Sequence, residues 1–302
     1  LLSIRMEPSL DARPAALDHP LGVASHLFRG TPEAVAAACR GYGLTCVQLT
    51  PNFPGLSFQE PAGITPERCH RAAVPFHAAG IPVAALFVPG NLLDANLHRR
   101  HCAVVRLHAL LRHCRDFGTD RCVTESGCLC PGAPSAGCPP ELWAELGLIL
   151  AEALRVAADH GVTLLLKPEP THALASVADA LRLREELPHA NLGFVLDPVN
   201  FLLHDGPAHL SGALERLVGA LGPHAPLVHA KDICFDDNGV SAPRAGWGVL
   251  DYDLFLRLLG RHQPAAPIIL EHLQPQEVPE AAAYLRSHWP ALREAPDGSG
   301  AP

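Results

Sequence analysis

The sequence reads as a single (β/α)₈ barrel. Eight short, strongly apolar runs recur along its 302 residues, with longer amphipathic stretches between them. Strands that are apolar on both faces, each followed by a helix, imply parallel pairing with cover on both sides. Eight such units over about 250 residues close into a barrel. A doubly wound open sheet is the competing architecture. It usually carries a glycine-rich phosphate turn after its first strand, where this chain has "SHLFRGTPEA" and no G-x-G-x-x-G.

The first four strands are expected at "LGVASHLF" (21–28), "TCVQLT" (45–50), "IPVAALFV" (81–88) and "DRCVTES" (120–126). After the fourth comes "GCLCPGAPSAGCPP" (127–140), a connection on the mouth side that could serve as a lid. Its Cys128, Cys130 and Cys138 form only a weak zinc pattern, C-x-C with one further cysteine and no fitted histidine. "ELWAELGLILAEALRVAADHG" follows as a helix, with Leu142, Leu146, Ile149, Ala153 and Ala157 at helical spacing and Gly161 as its stop. The remaining strands are "VTLLLKPE" (162–169), "LGFVLDP" (192–198), "PLVHAKDI" (226–233) and "PIILEHL" (267–273). No linker divides residues 19–290, while 1–18 and 291–302 read as disordered ends.

The bulk numbers narrow the function classes. A formal charge of −8 argues against a partner held mainly through phosphates, so no nucleic acid is expected. The ten cysteines are scattered through helix-like and strand-like segments, as in a reduced cytoplasmic protein. No apolar run approaches the roughly 20 residues of a membrane span. Barrels of this type often pair, which leaves room for a homo-oligomer.

Chemistry in a barrel sits where the strands end at the C-terminal face. The ends of strands five to eight read Glu169, Asp197, His229 and Glu271, each after an apolar run. Carboxylates brought that close repel one another, and a divalent cation is the usual remedy. Three carboxylates with one imidazole suit Mn²⁺ first, with Mg²⁺, Co²⁺ or Zn²⁺ as alternatives.

In that order, "LLLKPEP", "GFVLDPVN", "VHAKD", "AGWGVLDYDLF" and "IILEH" resemble the sugar-phosphate isomerase/epimerase family of xylose-isomerase-like TIM barrels. That group includes ketose epimerases, inosose dehydratases and isomerases, and the endonuclease IV type of DNA-repair enzyme. The likeness spans roughly residues 20–287 and is strongest in the second half. It implies one divalent metal held by Glu169, Asp197, His229 and Glu271. It also implies that Glu169 and Glu271 exchange the substrate proton, as glutamates at those positions do in the epimerase branch. Many epimerases have histidine three residues after the aspartate ligand. Here Asn200 stands there, an amide that can bind a sugar hydroxyl but cannot carry a proton charge. The DNA-repair branch needs further histidines and an Asp-x-His pair, which "FVPGN", Asn200 and "ICFDDNG" do not supply.

The expected activity is therefore isomerisation or epimerisation of a small sugar or polyol-derived carbonyl compound. One carboxylate takes the proton beside the carbonyl, an enediolate forms, and another carboxylate returns the proton. A lyase of the inosose-dehydratase kind shares the same intermediate. A sugar-binding barrel without turnover is the non-enzymatic alternative. The chain has only two lysines against 21 arginines, and alternation points both inward. Lys231 is expected to reach substrate oxygens, and Lys167 to pair with a carboxylate and steady the ligands. His26 and Glu125, at the ends of strands one and four, are candidates for binding hydroxyls, and Trp247 for stacking on a sugar face. Gly246 and Gly248 suit a tight turn, Asp232 would brace its loop, and Asp251 would cap the helix that follows.

Overall fold

The structure, a computed structural model, describes residues 19–128, 138–203, 206–236 and 239–289. The expected disordered ends, Cys130 and most of the 127–140 connection lie outside the described residues. Eight strands form a closed parallel barrel: β1 Leu21–Ala24, β2 Cys46–Leu49, β3 Val83–Phe87, β4 Arg121–Glu125, β5 Thr163–Lys167, β6 Leu192–Leu196, β7 Leu227–Ala230 and β8 Ile268–Leu270. Each pairs with its sequence neighbours, and β1 closes the ring on β8. At least one helix follows every strand, from Pro32–Gly41 after β1 to Val278–His288 after β8. No helix among the described residues is long and apolar enough to cross a membrane.

All eight expected strands are present, each shorter than its apolar run. Prolines account for two of the early stops. Pro168 follows Lys167 and Pro198 follows Asp197, and a residue without a backbone N–H cannot extend the ladder. Pro198 instead opens a short helix, Pro198–Leu202, capped by the Asp197 side chain. Serine 25 to leucine 27 form a 3₁₀ turn rather than the second half of a strand.

The helix Pro140–Asp159 presents a slightly rotated face. Trp143, Leu146, Leu150, Ala153, Leu154 and Ala157 are buried, whereas Leu142 and Ile149 only flank the core. Gly161 ends it at φ +62°, as expected of a residue without a Cβ.

Two apolar layers result from the alternation of side chains. The outward residues of the strands pack with the helices in the large core. The inward ones, Cys46, Ala85, Val123, Leu165, Val195, Leu227 and Ile269, form a separate plug together with Ala84. Ala84 joins Ala85 there because the β2–β3 register shifts between Val47 and Gln48.

Candidate active site

Two residues beyond each plug residue other than Ala84, the same inner wall carries Gln48, Phe87, Glu125, Lys167, Asp197, His229 and Glu271. Apolar packing therefore gives way to polar and charged groups in one step, at the C-terminal mouth. A cavity of about 570 Å³ opens above them, lined by His26, Arg29, Phe87, Glu125, Lys167, Glu271 and His272 among others. Its size is that of a small-molecule site.

Asp197, His229 and Glu271 converge, each offering one atom within 4.8 Å of the others. His229 and Asp197 are fully buried. His229 Nε2 lies 2.8 Å from Gln48 Oε1. An amide oxygen only accepts, so Nε2 carries a hydrogen, and the ring turns its Nδ1 toward the carboxylates. Nδ1 is 3.1 Å from Glu271 Oε1 without hydrogen-bond geometry. Asp197 Oδ2 is 2.9 Å from Lys231 Nζ, likewise without it. Two carboxylates and one imidazole converging in this way form a donor set that fits a divalent cation.

Glu169 stands apart from this cluster. It lies beyond Pro168, outside β5, and its Oε1 is 2.6 Å from Lys167 Nζ. Lys167 also has Glu125 and Glu271 oxygens at 3.8 Å each, so one ammonium serves three carboxylates. Burial alone would lower the Lys167 pKa, but Glu271, Glu169, Asp197 and Glu125 together raise it. Burial likewise opposes ionisation of Glu271, and His229, Lys167 and Lys231 overcome it and hold its carboxyl well below the usual range. At Glu125 burial prevails over the pull of Lys167 and pushes the carboxyl up to about 7.

Three expected substrate contacts are placed differently. Lys231 is 1% exposed, and its ammonium donates to Asn200 Oδ1 at 2.6 Å beside Asp197. A charge this deep is stable only against such partners, so its reach toward substrate gives way to holding Asp197 in place. Asn200 is committed at both ends of its amide, since Nδ2 donates to Pro168 O at 2.7 Å. Trp247 is 60% exposed, does not line the cavity and has the Arg244 guanidinium 4.2 Å above its ring. His26 and Glu125 do line the cavity, and His26 Nδ1 is 3.1 Å from Thr50 Oγ1. Cys128 is buried, with its main chain clamped by the Asn91 side chain.

The remaining loop expectations hold. Asp232 accepts hydrogen bonds from the Ile233, Gly246 and Leu250 amides. Gly246 has φ +90°, and a Cβ on Gly248 would meet Ile233 O at 2.3 Å. Asp251 caps its helix through the Leu254 amide. Gln48 was not legible as a site residue, because a neutral side chain in "TCVQLT" carries no charge signal. Its place two residues after Cys46 on the inner wall is the only cue.

Two outcomes follow from these contacts. Lys231→Met strands the buried Asp197 carboxylate, so urea unfolding of the metal-free protein should show a loss of about 3–5 kcal/mol. Glu125 has a folded pKa raised from 4.5 to about 7. The folded state therefore holds its proton more tightly, and stability declines as pH rises through that window. Glu125→Gln removes this cost, and its unfolding free energy should exceed that of the wild type by about 3 kcal/mol at pH 8. The gap should close below about pH 3.5, where both states of the wild type are protonated; a gap independent of pH would contradict the assignment.

Several solved structures share this architecture at low sequence identity. A xylose isomerase-like TIM barrel protein from Mycobacterium smegmatis in complex with magnesium superposes with a TM-score of 0.70 at 14% identity, over 91% of this chain and 97% of that one. The 3-keto-D-glucoside 4-epimerase YcjR from E. coli gives 0.66 at 17%, over 89% and 100%. The probable 3-DHS dehydratase AsbF from Bacillus anthracis gives 0.65 at 15%, over 88% and 97%. No curated protein sequence matches the chain. The family model described as xylose isomerase-like TIM barrel matches residues 24–288, nearly the whole barrel, and the chain belongs to that family.

Proposed function

We propose that the protein is a metal-dependent isomerase or epimerase acting on a sugar or polyol-derived carbonyl compound. The observation that carries this reading is the convergence of Asp197, His229 and Glu271 at the barrel mouth, each offering one ligand atom within 4.8 Å of the others. Asp197, His229 and Glu271 would hold the ion, with Glu169 as the fourth ligand; Mn²⁺ is the metal we favour. A bound divalent ion supplies positive charge for the oxygens of an enediolate.

The chain's own groups divide the remaining work. Glu271, held ionised, accepts the proton from the carbon beside the carbonyl. Glu169, borne on a different strand exit, delivers a proton drawn from solvent, and Glu271 afterwards releases its own to solvent. Return to the opposite face of the same carbon is epimerisation, and return to the neighbouring carbon is isomerisation. Lys167 keeps both carboxylates within reach of one cation and limits their repulsion. Gln48 fixes the His229 tautomer.

A lyase reading on the same site is favoured by one feature, Glu125. A carboxyl with its pKa pushed up to about 7 is partly protonated near neutrality and can donate to a departing hydroxyl. A dehydratase among proteins of this architecture is consistent with that chemistry.

The readings separate in deuterated buffer. With Mn²⁺ added, a panel of D-tagatose, L-ribulose and a 3-keto-D-glucoside should show deuterium entering one recovered sugar. An ultraviolet-absorbing enone product would identify the lyase instead, and binding without exchange the non-enzymatic barrel. Glu271→Gln should lower exchange by a factor of about 10² to 10⁴ while leaving the circular dichroism spectrum unchanged. Undiminished exchange in that variant would remove Glu271 from the chemistry. Gln48→Leu should weaken Mn²⁺ binding by about 10- to 100-fold in calorimetric titration.

A further inference from the structure

His272 is the only non-glycine residue with a positive φ among the described residues, at +55°. Nine glycines take every other such position. Left-handed backbone is disfavoured for any residue with a Cβ, and a glycine at 272 would make this turn without penalty. A side chain retained at such a place calls for a reason in what the side chain does.

The position and bonding of the ring supply that reason. His272 directly follows Glu271 and lines the mouth cavity with His26, Glu125 and Lys167. Its Nδ1 lies 2.6 Å from the carbonyl oxygen of Ala242. A carbonyl only accepts, so Nδ1 carries the hydrogen, and Nε2 of the neutral ring is left as an acceptor. Ala242 comes just after the antiparallel hairpin Cys234–Asp236 and Gly239–Ser241, on the exit from β7. The imidazole is thus fixed in orientation from the neighbouring strand exit, with one acceptor atom to spare.

We propose that His272 is a substrate-binding residue, held in a left-handed conformation at the cavity wall so that Nε2 accepts a hydrogen bond from a substrate hydroxyl. This rests on the isomerase reading for the nature of the ligand. It adds a contact outside the metal-binding set, one that selects among polyols without taking part in the proton transfer. The competing role is a latch, in which the bond to Ala242 merely ties two loops together.

His272→Gly and His272→Asn separate these roles, since both residues tolerate positive φ. Deuterium exchange is measured on whichever of D-tagatose and L-ribulose the wild type accepts, alongside the thermal midpoint and calorimetric Mn²⁺ affinity. Substrate binding predicts that KM rises about tenfold in both variants, the loss of one good hydrogen bond. It also predicts that kcat changes less than KM, with Mn²⁺ affinity unchanged. An unchanged KM overturns the proposal. If the wild type exchanges neither sugar, the isomerase reading fails by itself, and the midpoint of His272→Gly then decides. Relief of the backbone strain offsets the entropy glycine adds to the unfolded chain, so a midpoint at or above that of the wild type supports a residue kept at the expense of the fold. A midpoint below that of the wild type identifies a latch and overturns the proposal.

Discussion

The site depends on the strict two-residue period of strands inside a closed parallel ring. Every strand that places a plug residue inward must place the residue two further along on the same wall. The apolar plug formed by Val123, Leu165, Val195, Leu227 and Ile269 therefore fixes where Glu125, Lys167, Asp197, His229 and Glu271 emerge. A slip of one residue in β7 or β8 would send His229 or Glu271 into the helical layer and bring apolar groups to the mouth. The interior packing is thus the device that concentrates charge at one end. The register shift beside Gln48 fits the same rule, since it adds Ala84 to the plug while leaving Gln48 opposite His229.

Concentrating acids in this way needs local positive charge, and the chain uses both of its lysines for it. Lys167 stands among Glu125, Glu169 and Glu271, and Lys231 lies beside Asp197. A compact ammonium can be approached by carboxylates from several directions, whereas a guanidinium offers a planar fork and needs more room. The buried arginines sit outside the barrel interior, where Arg100 meets Glu145 and Arg244 meets Glu280. The rarity of lysine in the sequence was therefore a real signal, although the two residues divide their work differently from the simplest expectation. Lys231 is buried against Asn200 and Asp197.

What the sequence made legible was set by how strongly each feature is fixed by a local rule. Strand centres buried on both faces are continuous apolar runs, so all eight were readable. Their ends depend on where pairing stops, and prolines at 168 and 198 settle that only once the neighbours are known. Asp197, His229 and Glu271 were readable because a charged or titratable residue closing an apolar run is conspicuous. Gln48 and His272 were not, one being uncharged and the other owing its place to a backbone angle. The contacts of Asn200 were not readable because its partners, Pro168 and Lys231, come from other strand exits, and the Arg244–Trp247 contact depends on how their shared loop folds.

Those tertiary partners also divide the carboxylates into two kinds. Asn200 links the carbonyl of Pro168 to Lys231, and Lys231 adjoins Asp197, so one chain of contacts braces the exits of β5, β6 and β7. Asp197 is further tied by its cap on the Asn200 amide, and His229 lies within its strand. These groups have few alternative positions, as a pre-formed binding site requires. Glu169 differs. It is carried by a loop that closes on itself through the Glu169–Leu174 and His172–Glu169 backbone bonds, and its side chain is 24% exposed. In the proposed reaction, the rigid set keeps its geometry while Glu169, on its own loop, has room to exchange Lys167 for a substrate. Placing the acid that must change partners on the least constrained element, and the groups that must not move on strands and braces, is how a barrel reconciles a fixed site with a mobile proton.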